Sequence, residues 1–122
     1  MGKYIIRCTG TGFLFTLKAA NGEAIATSEV YDTLAACRKG IESVKKCALS
    51  ARLEDRTGQN AKVLPNPKFE LFTDKTGAFR FRLKARNGKI IAVSDGYASR
   101  AGCEKGIESV RANAIAETET EV

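Results

Sequence analysis

Five basic residues near the middle of the chain have the types and the spacing that most clearly indicate a binding chemistry. Arg80, Arg82, Lys84 and Arg86 alternate with apolar residues, and Lys89 follows three positions later. On a β-strand, alternate residues lie on one face about 6.6–7 Å apart. Backbone phosphates of nucleic acids recur at a comparable spacing, and strands can enter the major groove of DNA. These residues are therefore a candidate polyanion-binding surface, with a solvated outer sheet face or a protein partner as the alternatives.

Residues suited to catalysis are scarce. The chain contains no His, the commonest general base and metal ligand, and it lacks a phosphate-binding glycine loop and a nucleophile elbow. Its four cysteines, Cys8, Cys37, Cys47 and Cys103, include no C-x-x-C pair. Cys37 and Cys103 fall at matching places on apolar helix faces, where small buried hydrophobic residues are expected. We predict no catalytic residue, no metal ligand and no cofactor.

The composition indicates one small basic domain. The 122 residues carry a net charge of +6, and residues 117–122 contribute −3 of it, which leaves +9 on the rest of the chain. Such an excess favours polyanionic partners. No apolar run reaches the ~18 residues of a membrane-spanning helix. Cysteines without a secretion signal favour a reducing environment, so the expected location is cytoplasmic, without membrane association.

The elements that position these residues are encoded twice. Residues 13–48 align with residues 79–114 without a gap at an offset of 66, and about 20 of the 36 positions are identical. Internal repeats of this kind use the same supersecondary unit. One repeat of about 50 residues would have a marginal core by itself. We therefore expect two similar halves that share one core.

The second repeat indicates a hairpin. Residues 79–86 alternate strictly between apolar and basic types, which predicts a half-buried strand with Phe79 and Phe81 on the inner face. Asn87-Gly88 predicts a two-residue type I′ turn, since both residue types tolerate positive φ. That turn would place Ala85 opposite Ile90 on the returning strand.

A helix is predicted to follow from Arg100 to Asn113, with Ser99 as its N-cap, and Thr33 is the matching N-cap in the first repeat. Small and apolar residues recur on one face of this helix, at Cys103, Gly106, Ile107, Val110 and Ala114. The matching face of the first helix is Cys37, Gly40, Ile41, Val44 and Ala48. A glycine on the buried face indicates a close approach between the helix and the sheet. Tyr97, and Tyr31 in the first repeat, come just before the helices, and we expect both rings to pack against them.

The predicted fold is α+β, with two tandem β-β-β-α repeats that form one pseudo-twofold antiparallel sheet and pack both helices on one of its faces. The first repeat is residues 1–49 and the second is residues 67–116. Residues 50–66 are read as a polar linker with a short strand at 61–64. Residues 117–122 are an acidic tail or a short edge strand.

The repeated motif resembles that of the YegP-like family of small bacterial proteins. It reads F-x-F-x-L-K-A-x-N-G-x-x-I-A-x-S-x-x-Y and continues with G-I-E-S-V on the helix, from Phe79 to Val110 and again from Phe13 to Val44. The resemblance implies β3α repeats, each followed by a short strand exchanged with the other repeat, for which Val63 and Val122 are suitably placed. It also implies that members with one repeat pair as dimers. It implies no activity and no catalytic residues.

Two main functional hypotheses stay open from the sequence, beside a weaker third, a small-molecule site at the twofold axis that both repeats would line equivalently. In the first, the chain is a small non-enzymatic binding or assembly module of unknown ligand, which includes self-association through a sheet edge or through the face that carries Leu14 and Thr16. In the second, the chain binds nucleic acid through the basic strand face. Both hypotheses depend on which side chains the sheet leaves open to solvent.

Overall fold

The computed structural model describes residues 2–58 and 62–121. In chain order the elements are β1 (Lys3–Cys8), β2 (Phe13–Lys18), β3 (Ala24–Thr27), α1 (Leu34–Cys47), β4 (Arg52–Asp55), β5 (Lys68–Thr73), β6 (Phe79–Lys84), β7 (Ile90–Val93), α2 (Arg100–Asn113) and β8 (Glu117–Glu121). The strands form one sheet in the order β4-β5-β6-β7-β3-β2-β1-β8. This architecture confirms the α+β fold built from two β-β-β-α repeats.

The sheet is mixed, so the prediction of a wholly antiparallel sheet was wrong at its two edges. Within each repeat the three strands pair antiparallel, and β3 meets β7 antiparallel between the repeats. The strand after each helix pairs in parallel with the first strand of the other repeat, β4 with β5 and β8 with β1. Neighbouring parallel strands need a crossover of about a dozen residues, and 12 residues separate Asp55 at the end of β4 from Lys68 at the start of β5.

The exchanged strand of the first repeat lies earlier than predicted. It occupies Arg52–Asp55 within the segment read as a polar linker, whereas residues 62–64 form no strand and residue 61 lies outside the described residues. The polar composition of β4 concealed it, because its acidic residues are paired rather than solvated. At the other end, residues 117–121 form an edge strand, and Val122 lies outside the described residues.

Both helices pack on one face of the sheet around a single core drawn from the two repeats. Each begins at its predicted N-cap, where the hydroxyl oxygens of Thr33 and Ser99 accept hydrogen bonds from Ala36 N–H and Gly102 N–H at 3.0 Å. The buried faces are also the predicted ones, since Ile41 and its counterpart Ile107 are almost fully buried. Helix periodicity alone was sufficient to locate these faces.

The tyrosines before the helices explain the two helical glycines. The rings of Tyr31 and Tyr97 stack on Phe15 and Phe81, with centroids 6.3 and 6.4 Å apart. A Cβ atom at Gly106 would lie 2.8 Å from Cζ of Tyr97, and closer still to its hydroxyl oxygen. The equivalent approach occurs in the first repeat. The glycines therefore make room for a tyrosine that lies against the helix backbone.

The hairpin turn differs from the predicted type I′ turn. Only Gly88 has positive φ, at 83°, and Gly88 N–H donates to the Ala85 carbonyl while Ala85 N–H donates to Lys89. This is the pattern of a type I turn followed by a left-handed glycine and a bulge. The bulge shifts the register, so Lys84 rather than Ala85 lies opposite Ile90. Sequence could not distinguish the two turns, because Asn-Gly suits both.

Candidate functional site

The five basic residues predicted as a polyanion-binding surface occupy two places in the structure. Arg80, Arg82 and Lys84 lie on β6, on the outer face of the sheet away from the helices. Arg86 and Lys89 lie beside the hairpin turn and are exposed. The bulge ends the alternation after Lys84, so the five cations do not form one straight row.

Arg80 is held by the carboxylate of Asp74, in the turn between β5 and β6. Its Nε atom donates to Asp74 Oδ2 at 2.6 Å, and its Nη1 atom donates to the carbonyl of Ser94 at 3.2 Å. Hydrogen bonds from the Thr76 hydroxyl and from Arg80 hold the pKa of Asp74 well below its usual range. The Arg80 charge is therefore partly neutralised within the protein.

Arg82 and Lys84 share one buried carboxylate. Glu70 on β5 lies opposite Arg82 and is fully buried, and its Oε1 atom accepts from Arg82 Nε at 2.5 Å and lies 3.5 Å from Lys84 Nζ. The Arg82 guanidinium also lies 4.7 Å from the ring centre of Phe72, within cation–π range. Three of the five predicted cations are thus ion-paired on the outer face.

A second buried acid extends this arrangement into an ionic network on the outer face, made of Glu54, Arg56, Lys68, Glu70, Arg82 and Lys84. Lys68 Nζ donates to Glu54 at 2.9 Å and lies 3.5 Å from Glu70. Arg56 Nη1 donates to both glutamates, at 2.9 and 3.2 Å. The exchanged strand β4 brings Glu54 beside Glu70, so the network depends on contacts between repeats.

The backbone of Leu64, in the segment between β4 and β5, hydrogen-bonds to two members of this network. Leu64 N–H donates to Glu54 Oε1 at 2.6 Å, and the Leu64 carbonyl accepts from Lys68 Nζ at 3.0 Å. Burial alone would raise the pKa of Glu54, but the hydrogen bonds from Lys68 and Leu64 outweigh it and lower that pKa to about 2. The pKa of Glu70 is lowered in the same way, with burial opposed chiefly by Arg82. Both acids are therefore ionised at neutral pH.

Sequence reasoning singled out the arginines and missed the acids that hold them. A signal was present, because Glu70 interrupts the apolar run Phe69-Glu70-Leu71-Phe72 at a position in phase with a strand. Glu54 gave no comparable signal within a polar segment. Only the strand register reveals that Glu54 lies beside Glu70, and that Glu70 lies opposite Arg82 on β6.

The net charge of the protein is concentrated around this network. Residues 52–89, which comprise β4, β5, β6 and their connections, contain ten Lys or Arg and four Asp or Glu, a net charge of +6. The rest of the chain contains ten of each sign and is neutral. Because β4, β5 and β6 are neighbours in the sheet, we call residues 52–89 the basic end of the molecule.

The cysteines behave as the sequence predicted for small hydrophobic residues. Cys37 and Cys103 are fully buried, and burial raises the pKa of the Cys37 thiol and raises the pKa of Cys103 to about 11. Cys8 is exposed. Across the described parts of the chain, no group of three or more metal-ligating side chains comes together, and no helix there is long and apolar enough to cross a membrane.

Comparisons with known proteins match this architecture. The model of a domain of unknown function, DUF1508, matches residues 9–55 and 74–119, one match in each repeat. The chain is 41% identical over 106 residues to the UPF0339 protein YegP of Escherichia coli, which covers 87% of this chain and 83% of that protein. A UPF0339 protein of Treponema denticola is 64% identical over 47 residues, covering 38% of this chain and 81% of the relative, about one repeat.

Solved structures agree with these sequence matches. The solution NMR structure of YegP from Escherichia coli, a protein of unknown function, has a TM-score of 0.78 at 33% identity and covers 99% of this chain and 95% of that one. A UPF0339 protein from Shewanella oneidensis has a TM-score of 0.77 at 32% identity, with 98% and 92% covered. With both repeats matched by the family model and the whole fold shared, the chain belongs to the DUF1508 (UPF0339) family of proteins of unknown function.

Proposed function

We propose that this protein is a non-enzymatic binding module that binds nucleic acid through its basic end. The observation that carries the proposal is the position of the net charge, since residues 52–89 hold all of the +6 while the remaining residues are neutral. A localised excess of this kind raises the local concentration of polyanions and speeds their association. The buried thiols and the ion-paired carboxylates favour a binding role over a catalytic one.

The basic end keeps cations for a partner after its internal pairing is complete. Arg52, Arg86 and Lys89 are exposed and make no ion pair with another described residue. The ionic network holds the side chains of Arg82 and Lys84 beside them in fixed positions. We expect the exposed cations to contact phosphates. The network, which has more cations than carboxylates, adds to the positive electrostatic potential around them.

The test is duplex binding measured by fluorescence anisotropy over a range of salt concentrations. Three neutralised phosphates predict a slope of about −2.7 in log K against log salt, roughly a forty-fold loss between 50 and 200 mM. The double variant Arg52→Glu, Lys89→Glu should abolish binding. The matched control Lys18→Glu, Lys39→Glu makes the same change in net charge outside the basic end, where the rest of the chain is neutral. This control should bind the duplex considerably better.

Three results would contradict the proposal. They are no binding at low salt, a flat salt response, and equal losses in the two double variants. Competition with polyglutamate distinguishes nucleic acid from the alternative, an acidic protein partner. If polyglutamate displaces the duplex at equal charge concentration, the basic end recognises acidic chains without preference for nucleic acid.

A second candidate function is assembly through the outer sheet face, which both helices leave uncovered. Val93 and Ile90 are 41% and 37% exposed near the centre of this face. Val93 pairs with Thr27 where the repeats meet, and Leu14 and Thr16 lie on the same face of the first repeat. Sedimentation velocity tests this function. Val93→Lys should dissociate an oligomer, whereas Val30→Lys, which alters another exposed valine outside the strands, should not.

The location proposed for either function is the cytoplasm, where the unpaired cysteines would stay reduced. A monomeric wild type would remove the assembly function and leave the nucleic-acid proposal standing. The two functions are therefore separable with the same preparation of protein.

A further inference from the structure

A groove of about 250 Å³ lies between the C-terminal half of α1 and the hairpin that joins β6 to β7. Its lining residues are Ser43, Lys46, Cys47, Ala85, Arg86 and Asn87. The side chain of Ala85 belongs to the core beneath the helices, so the groove is on the helix-bearing side of the sheet. It is separate from the outer face and draws its walls from both repeats.

Two cations from different elements border this groove. Lys46 projects from α1 and Arg86 from the hairpin turn, and neither makes an ion pair with any residue that the structure describes. Asn87 Oδ1 accepts from Lys89 N–H at 3.0 Å, which leaves the Asn87 amide nitrogen available as a donor. Ser43 contributes a hydroxyl. Cys47 and Ala85 are buried and provide an apolar floor.

The equivalent positions of the other repeat, between α2 and the β2–β3 hairpin, lack the features that suggest binding. At the offset of 66, Lys46 corresponds to Ala112 and Arg86 to Ala20, so both cations are absent together. Cys47 corresponds to Asn113, whose Oδ1 atom accepts from Gly2 N–H at 2.7 Å. The chain's own N-terminal segment thus packs at that place. Since that half folds without the cations, Lys46 and Arg86 are not needed to build the hairpin–helix contact.

We propose that the groove between α1 and the β6–β7 hairpin binds a small organic anion. Its phosphate or carboxylate head group lies between Lys46 and Arg86, with Ser43 and Asn87 as further donors, and a short apolar body rests on Cys47 and Ala85. Charge-assisted hydrogen bonds from two cations are the chemistry that recognises such head groups. The volume is below the 300–1,000 Å³ typical of drug-sized ligands, which limits the body to about one ring.

The experiment is an NMR titration of the ¹⁵N-labelled protein with phenyl phosphate, benzoate, inorganic phosphate and phenol. Phenyl phosphate or benzoate should shift the amide resonances of residues 43–47 and 85–87, and the tighter of the two identifies the head group. Inorganic phosphate should bind more weakly because it lacks the body. Phenol should not bind because it lacks the charge.

Variants separate this site from general attraction of anions to a basic protein. Lys46→Ala should weaken binding of the better ligand by about tenfold, the value of one charge-assisted contact. Lys105→Ala removes the same charge from the other helix, α2, which does not line the groove, and should change binding by less than twofold. Equal effects of the two variants, or no shift in the groove amides with either organic anion, would overturn the proposal.

The groove and the basic end share Arg86, but the variants that test them leave this residue unchanged, so the two proposals can fail separately. Lys46 lies outside the basic end, so Lys46→Ala should leave duplex affinity within twofold of the wild type. Arg52→Glu, Lys89→Glu should conversely leave binding of the organic anion within twofold. If both sets of variants affect both ligands equally, the groove is only a part of the basic surface and the proposal is wrong.

Discussion

The outer face of the sheet is built differently in the two halves, although the inner faces are nearly the same. On the second half, Glu70 on β5 faces Arg82 on β6 across a buried ion pair. On the first half, the equivalent register position joins Ile5 on β1 to Thr16 on β2. The acid and its arginine are both replaced, while the backbone pairing is unchanged.

One lysine–glutamate ion pair is present in both halves, and its contribution to stability depends on how deeply it is buried. Lys68–Glu54 and Lys3–Glu119 occupy corresponding register positions, at 2.9 and 3.0 Å. The first pair is 8% and 1% exposed, and the second is 54% and 53% exposed. Exposed ion pairs contribute about 0–1 kcal/mol, whereas a buried charge that loses its partner is costly. Partners in a buried network must therefore change together.

The largest predicted effect breaks the network from its centre. Lys68→Met leaves two buried carboxylates with one fewer cation and should lower the free energy of unfolding by about 3–5 kcal/mol. Lys3→Met removes the corresponding lysine of the first half and should cost less than about 1 kcal/mol. Urea denaturation measures both. Similar losses in the two variants would mean that burial does not distinguish the halves.

A second prediction tests what the halves have in common. Gly106→Ala and Gly40→Ala should each cost about 1–3 kcal/mol, because the added methyl group overpacks against Tyr97 or Tyr31. Gly102→Ala, in the first turn of α2, is the control, since the nearest atom to its new Cβ is the Ser99 hydroxyl at 3.2 Å. Thermal unfolding should show the control near wild type. A Gly106→Ala protein as stable as the control would contradict the tyrosine–glycine contact.

A third prediction converts one outer face toward the other. Glu70→Ile and Arg82→Thr place the residues of the first half on the second, and each alone leaves charges without their partner. Together they should cost less than the sum of the single changes by about 0.5–3 kcal/mol, as expected for contacting residues. A double-mutant cycle in urea measures this coupling. Strict additivity would show that the pair acts independently of its contact.

The smallest predicted effect is the loss of stability at acid pH that follows protonation of Glu54. The pKa of Glu54 is lowered to about 2 in the folded protein, from an ordinary glutamate value of 4.5. Because the folded pKa is the lower one, its stabilisation is complete above about pH 4.5 and is lost as the pH falls toward 2. Urea midpoints measured between pH 7 and pH 3 should fall less in Glu54→Gln than in wild type. Glu119→Gln, which alters the exposed counterpart, should follow the wild type.

Much of the fold could be predicted from local pattern. Alternation located β6, helix periodicity located the buried faces of α1 and α2, and Thr33 and Ser99 were correct as caps. These features depend on residues within one or two turns of each other. The exchanged strand β4 was misplaced because its partner, β5, lies beyond the linker, and pairing at that distance leaves no periodic signal in a four-residue strand.

Some features of the candidate site could likewise be predicted from the sequence, and others could not. The duplication, the row of basic residues on one strand face and the local excess of positive charge can all be read from the sequence alone. Which of those charges reach solvent depends on the folded structure, because strand exchange and register brought Glu54 and Glu70 against Arg82, Lys84 and Lys68. Ionic contacts between distant segments depend on how the strands are ordered in the sheet, and that order is a property of the folded chain rather than of any segment of it.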